Sequence, residues 1–205
     1  MRMIALVAVI AVASTACDDS PTGPTAQTPI DVRVRDTTDA KLGSPVPAPP
    51  FMGTLSGNFA ASIWDGSRWV TLGSPNGITV ELRTFAAAPG STRTVHGEQG
   101  APAGSYDRAR LVLQGVTATI ARGSVIGATT LTSDTTIRLG GSDQQVALSV
   151  PLSRFSLEDD PSVTRIVIFD LHSPQWLTSS AVQSGQVEDA ALQAAVSAST
   201  LLEPR

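Results

Sequence analysis

The chain holds a single cysteine, a single lysine and a single tyrosine among its 205 residues. One cysteine, Cys17, excludes an internal disulfide, a dithiol redox pair and a thiolate metal cluster. A domain built this way is held by its core alone. One lysine, Lys41, leaves arginine as nearly all of the base, and no run of arginines forms a stripe that would track a phosphate backbone. Nucleic acid is therefore not an expected partner. No Gly-x-Ser-x-Gly elbow occurs. No repeated strand–helix–strand pattern occurs, which excludes a parallel α/β sheet. The longest apolar run, Met3–Ala13, is shorter than the roughly 20 residues a membrane-spanning helix needs.

What is present begins with MRMIALVAVIAVASTAC. Arg2 supplies a positive start, the apolar run follows, and Ser14, Thr15 and Ala16 lead to Cys17. This is the layout of a secretory signal over residues 1–16. Cleavage near Ala16 leaves either an ordinary thiol or a cysteine that carries lipid on its sulfur and its amine; the second reading is the one preferred here. The segment resembles the lipobox of bacterial lipoproteins, with Thr15 and Ala16 matching and Ser14 standing where that pattern prefers leucine. Two acyl chains would hold the protein on a membrane, each buried CH2 contributing about 0.8 kcal/mol. The resemblance implies the periplasmic side of a bacterial envelope, and Asp18 after the cysteine looks like an inner-membrane retention signal. The sequence does not decide between inner and outer membrane.

Removal of the leader takes Arg2 away, leaving 13 Lys+Arg (14 − 1) against 18 Asp+Glu, a formal charge of −5. Residues 17–50 read as a Pro/Thr-rich tether. Within it Ile30–Arg35 alternates apolar and charged residues, which fits an edge strand or an accident of the tether. Residues 51–205 are expected to form one domain of about nine to eleven short strands, an antiparallel β-sandwich or open barrel with a short C-terminal helix.

Turn signals divide this domain. Asp65-Gly66 is expected to close a two-residue hairpin between strands ending at Trp64 and starting at Trp69. Ser74-Pro75-Asn76-Gly77 precedes a strand from Ile78. Ser91–Val95 reads as a strand, and His96–Gly104 as a loop. Tyr106–Leu113 and Val116–Ala121 read as separate strands about Gly115. Gly140–Asp143 reads as a hairpin turn between Thr135–Leu139 and Gln145–Val150, with Pro151 limiting the latter. Thr164–Leu171, TRIVIFDL, is the most apolar segment and is expected to be a central strand buried on both faces. Val187–Val196 has a helical apolar face, with Glu188 and Asp189 in its first turn. Ser197–Leu202 reads as a last strand or a frayed end.

Two segments, PAGSYDRARLVL from Pro102 and VTRIVIFDLHSP from Val163 to Pro174, resemble an exported bacterial domain of unknown function numbered 4382. That family occurs mostly in lipoproteins, and a transthyretin-like or carboxypeptidase-regulatory-like sandwich is predicted for it. The resemblance implies a fold more than an activity.

No catalytic constellation stands out, and no cofactor is expected. Ser173 or Ser105, with His172 or His96 and Asp170, is the only set that a hydrolase reading could use. Asp170 with His172, and His96 with Glu98, share strand faces in the way metal ligands do. Asp134, Asp143, Asp159 and Asp160 lack the dense loop that calcium requires. The stronger lead is aromatic. Trp64 and Trp69 flank a turn, where they form either a platform for carbohydrate or a cross-strand pair that covers the sheet. Trp176 falls in a loop after the apolar strand. The expected role is therefore structural or interactive and not enzymatic: a lipid-anchored envelope domain whose partner is an envelope protein or a polysaccharide.

Overall fold

The computed structural model describes residues 28–36, 52–83, 92–140, 145–158, 160 and 162–205. The expected signal segment, Cys17 and most of the expected tether lie outside the described residues. Among those described, the chain is mainly β. The strands are β1 (Pro29–Arg35), β2 (Met52–Trp64), β3 (Trp69–Thr71), β4 (Asn76–Arg83), β5 (Arg93–Gly100), β6 (Gly104–Ile120), β7 (Val125–Ile126), β8 (Thr129–Thr130), β9 (Thr135–Leu139), β10 (Gln145–Leu157), β11 (Val163–Asp170), β12 (Gln186–Val187) and β13 (Ser197–Pro204). Three short helices, α1 (Ser173–Trp176), α2 (Ser179–Ser184) and α3 (Asp189–Ala195), fall between β11 and β13.

One sheet has the order β13-β11-β1-β5. The larger sheet is built on β2 and β6. On its far edge β2 takes β3 and β4, while β6 takes β10 and then β9, with β12 beyond. Neither sheet closes into a barrel. The inward faces meet in one core, with Val32, Val34, Val167 and Phe169 from the first sheet and Leu55, Phe59, Leu111 and Leu148 from the second. This is a sandwich-like arrangement, as expected, but not purely antiparallel: β1–β11 and β9–β12 pair in parallel.

The edge-strand expectation for Ile30–Arg35 is corrected. β1 lies inside its sheet, paired with β11 on one side and β5 on the other. Ile30, Val32 and Val34 are each 0% exposed. The folded unit therefore includes residues 28–36 and does not begin near Phe51. β11 lies between β13 and β1, with Ile166 and Ile168 buried on one face and Val167 and Phe169 on the other.

Several boundaries also change, for a shared reason. Tyr106–Leu113 and Val116–Ala121 form one 17-residue strand, β6. Its buried residues are odd-numbered from Ala109 to Leu113 and even-numbered from Val116 to Ile120. The change of phase falls at Gly115, whose φ is 58°, opposite a register shift in β2. A bulge of this kind lets one strand bend and still present apolar residues inward. β10 repeats the device. It runs through Pro151, and its buried set changes from Val146, Leu148, Val150 and Leu152 to Phe155 and Leu157 across a register shift. β9 and β10 do not form the expected hairpin; both pair with β6, along different halves of it. His96 lies in β5 and not in a loop. The expected C-terminal helix is α3, and β13 is the last strand.

Candidate functional site

Trp64 ends β2 and Trp69 begins β3, directly opposite in the ladder. The expected two-residue turn between them is a four-residue loop, closed by the Asp65 amide donating to the Arg68 carbonyl at 3.1 Å. Asp65 Oδ1 accepts from the backbone N–H groups of Ser67 and Arg68, both at 2.8 Å, which is how an aspartate mimics a turn of backbone. These donors hold its carboxyl down to a pKa of about 2, the Arg68 amide contributing most. Gly66, with φ at 95°, occupies a position that L side chains avoid.

Strand alternation puts Ile63 into the core and Trp64 on the outer face. The two indoles lie 5.3 Å apart between centroids, tilted by 58°, and both are half-buried. The next strand brings two arginines to the same face. Arg108 is the ladder partner of Trp64, and Arg110 that of Ser62. The Arg110 guanidinium carbon stands 3.8 Å from the Trp69 ring centroid, and that of Arg108 5.9 Å from the Trp64 centroid. Each such contact contributes about 0.5–1 kcal/mol at an exposed site. Trp64 and Trp69 thus form the expected cross-strand pair, and that pair still faces outward beside a guanidinium. The arginines were legible in principle: in Asp107-Arg108-Ala109-Arg110 they stand two apart, so a strand places them on one face.

The polar residues around the end of β11 are brought together differently from expectation. Asp170 Oδ2 accepts from Arg35 Nε at 2.7 Å, across the parallel β1–β11 pair. His172 Nδ1 stands 3.8 Å from Asp170 Oδ1, beyond hydrogen-bond range, and His172 Nε2 is 2.9 Å from Ser197 Oγ. This Asp–His–Ser order was not foreseen, because Ser197 comes next to Asp170 only through the β11–β13 ladder. The carboxylate serves a salt bridge and does not orient the imidazole through a short bond, which is what a triad requires. Ser173, one of the two serines that a hydrolase reading could use, donates from Oγ to Asp36 Oδ2 at 2.5 Å, and its amide donates to Oδ1 at 2.7 Å. Those bonds tie the end of β1 to the start of α1. His172 has φ at 45°, the only non-glycine residue among those described with a positive value, and it turns the chain from β11 into α1.

The remaining candidates serve the fold. Trp176 lies on α1, 1% exposed, and donates from Nε1 to the Leu171 carbonyl at 2.9 Å; it is not a loop aromatic. Ser105 pairs with Ser156 in the β6–β10 ladder. His96 is buried, with Nδ1 3.4 Å from the Asn76 amide nitrogen, which also donates to Val95 O at 2.9 Å. Burial holds this imidazole below its ordinary pKa, with the Phe59 backbone opposing. The Glu98 side chain, Asp143 and Asp159 lie outside what is described. Asp134 accepts from the Arg122 amide, and Asp160 from both the amide and the hydroxyl of Ser162; both shape turns. Among the described residues no three His, Cys, Asp or Glu side chains converge on a metal position, and no helix is long and apolar enough to cross a membrane.

Among the described residues, the open grooves include one of about 280 Å³ lined by Met52, Glu81, Leu82 and Asp134 among others, and one of about 580 Å³ between Ile78–Thr79 and Thr92–Thr94. Neither includes the tryptophan pair or the His172 cluster. No protein-family model, no curated protein and no solved structure matches the chain.

Proposed function

We propose that the protein is an exported interaction module, tethered to a bacterial envelope through lipid on Cys17, that recognises its partner with the outer face of the larger sheet. The observation that carries this reading is the Trp69–Trp64 pair set half-exposed beside Arg108 and Arg110. Large aromatics and arginine are the side chains that dominate recognition surfaces, because they combine apolar area with directed polar contacts. The leader and Cys17 support the tether. The mainly-β fold supports, at the level of architecture alone, the resemblance to the exported domain numbered 4382.

Two measurements test the reading. Cell fractionation of the wild type and of Cys17→Ser should find the first with membranes and the second free; a freely soluble wild type refutes the anchor. Retention on isolated envelope material should fall when Trp64 and Trp69 are both replaced by alanine. Unchanged retention refutes the assignment of this face.

A further inference from the structure

The same face carries a chemical preference, and this step rests on the interaction reading above. The whole chain is acidic, with a formal charge of −4. Around the tryptophan pair the balance is reversed. Arg68, Arg108 and Arg110 stand there against Asp65 and Asp107, and Arg154 adds a further guanidinium beside Asp107. Asp65 is committed to Arg68 and to its own turn. Asp107 lies 3.8 Å from Arg108 and 3.7 Å from Arg154, so one carboxylate is shared between two guanidinium groups. Arg110 is different. Its Nε is buried and has no hydrogen-bond partner among the described residues. Its contact is the face of Trp69.

A guanidinium laid against an indole keeps its charge, loses part of its rotational freedom and retains N–H donors in one plane. With Nε buried, the two terminal Nη groups are the donors left to a carboxylate, which accepts two parallel N–H bonds. The adjoining tilted indoles offer the apolar half of a site to a ring with C–H faces. An extended acidic peptide would pair along the open edge of β3, whereas the guanidinium groups here lie against the indole rings on the outer face of the sheet. We propose that Trp64, Trp69, Arg108 and Arg110 bind a carboxylated carbohydrate, with the sugar ring against the indoles and its carboxylate on Arg110.

The test uses the full-length protein in detergent micelles, titrated with galacturonate oligomers, neutral gluco-oligomers of equal length and dextran sulfate, and followed by calorimetry and indole fluorescence. The expected result is binding of the galacturonate oligomers about tenfold or more tighter than of the neutral ones, weakened by salt. Arg110→Gln should remove that preference without lowering the melting temperature by more than a few degrees. Arg138→Gln, on an exposed position of β9, should leave it intact. Equal affinity for acidic and neutral oligomers overturns the carboxylate assignment and leaves the interaction face standing. So does binding of dextran sulfate as tight as that of galacturonate. If no glycan binds while envelope retention still depends on Trp64 and Trp69, the carbohydrate proposal fails alone. If retention is independent of them as well, both readings fail.

Discussion

A chain that starts at Phe51 should not fold. The stretch before it contains β1, and β1 is the inner strand joining β11 to β5. Truncation removes Ile30, Val32 and Val34, each fully buried. At about 1.5–3 kcal/mol for each such side chain, the apolar loss alone is about 5–9 kcal/mol. Two hydrogen-bonded ladders go with it, together with the Arg35–Asp170 bridge and the Asp36 bonds to Ser173. Since domains of this size are stable by about 5–15 kcal/mol in total, the remainder is at or below the threshold of folding. A graded form of the experiment is Val32→Ala in a chain that starts at Asp18. The substitution costs about 2–3 kcal/mol, from two lost methyl groups and the cavity they leave. That lowers the melting temperature by about 5–10 °C, whereas the exposed control Thr71→Ala stays close to wild type. The assay is a urea and thermal denaturation series followed by far-ultraviolet circular dichroism. A fragment from Phe51 that melts cooperatively within a few degrees of the longer chain refutes the reasoning, as does a Val32→Ala protein indistinguishable from the control.

Four further outcomes are expected. His96 has a folded-state pKa depressed by burial, so its stabilising contribution is complete above the unfolded value of 6.5 and is lost as pH falls below that value toward the folded one; unfolding free energies from urea titrations run downward from pH 7 should drop by up to about 1.4 kcal/mol per pH unit in that window, and His96→Gln should flatten the slope. Gly73→Ala should destabilise the fold strongly, because φ is 107° and the new Cβ would lie 2.8 Å from His96 Nδ1; thermal melts of the two proteins decide it. Tyr106→Phe deletes the hydroxyl that donates to the Pro102 carbonyl at 2.7 Å while keeping the stack on Phe155, and should cost about 1 kcal/mol in a denaturant titration. Ser197 should take no label from a fluorophosphonate probe at neutral pH, because Asp170 is bridged to Arg35 and stands 3.8 Å from the imidazole; a stoichiometric adduct on Ser197 refutes that account of the cluster.

The mainly-β character follows from local patterning. Alternating apolar residues and Gly, Pro, Asn and Asp turns impose short strands wherever they occur, since each strand has only two faces and each turn few permitted conformations. The apolar run of β11 marked its inner position, and the small-residue face with early acids marked α3. Trp64 and Trp69 could be paired because a hairpin relates near neighbours. Beyond that range sequence is silent, for a physical reason: which strands pair is decided by contacts between residues far apart in the chain. Nothing within Ile30–Arg35 distinguishes an edge from an interior strand; only β11 and β5, more than fifty residues away, close both of its sides. The bulges at Gly115 and after Pro151 look locally like strand ends, and only the continued ladders to β2 and β6 make them bends. Ser197 meets His172, and Arg110 meets Trp69, through ladders of the same kind. Local chemistry decided what each segment is, and tertiary pairing decided which side chains share a face.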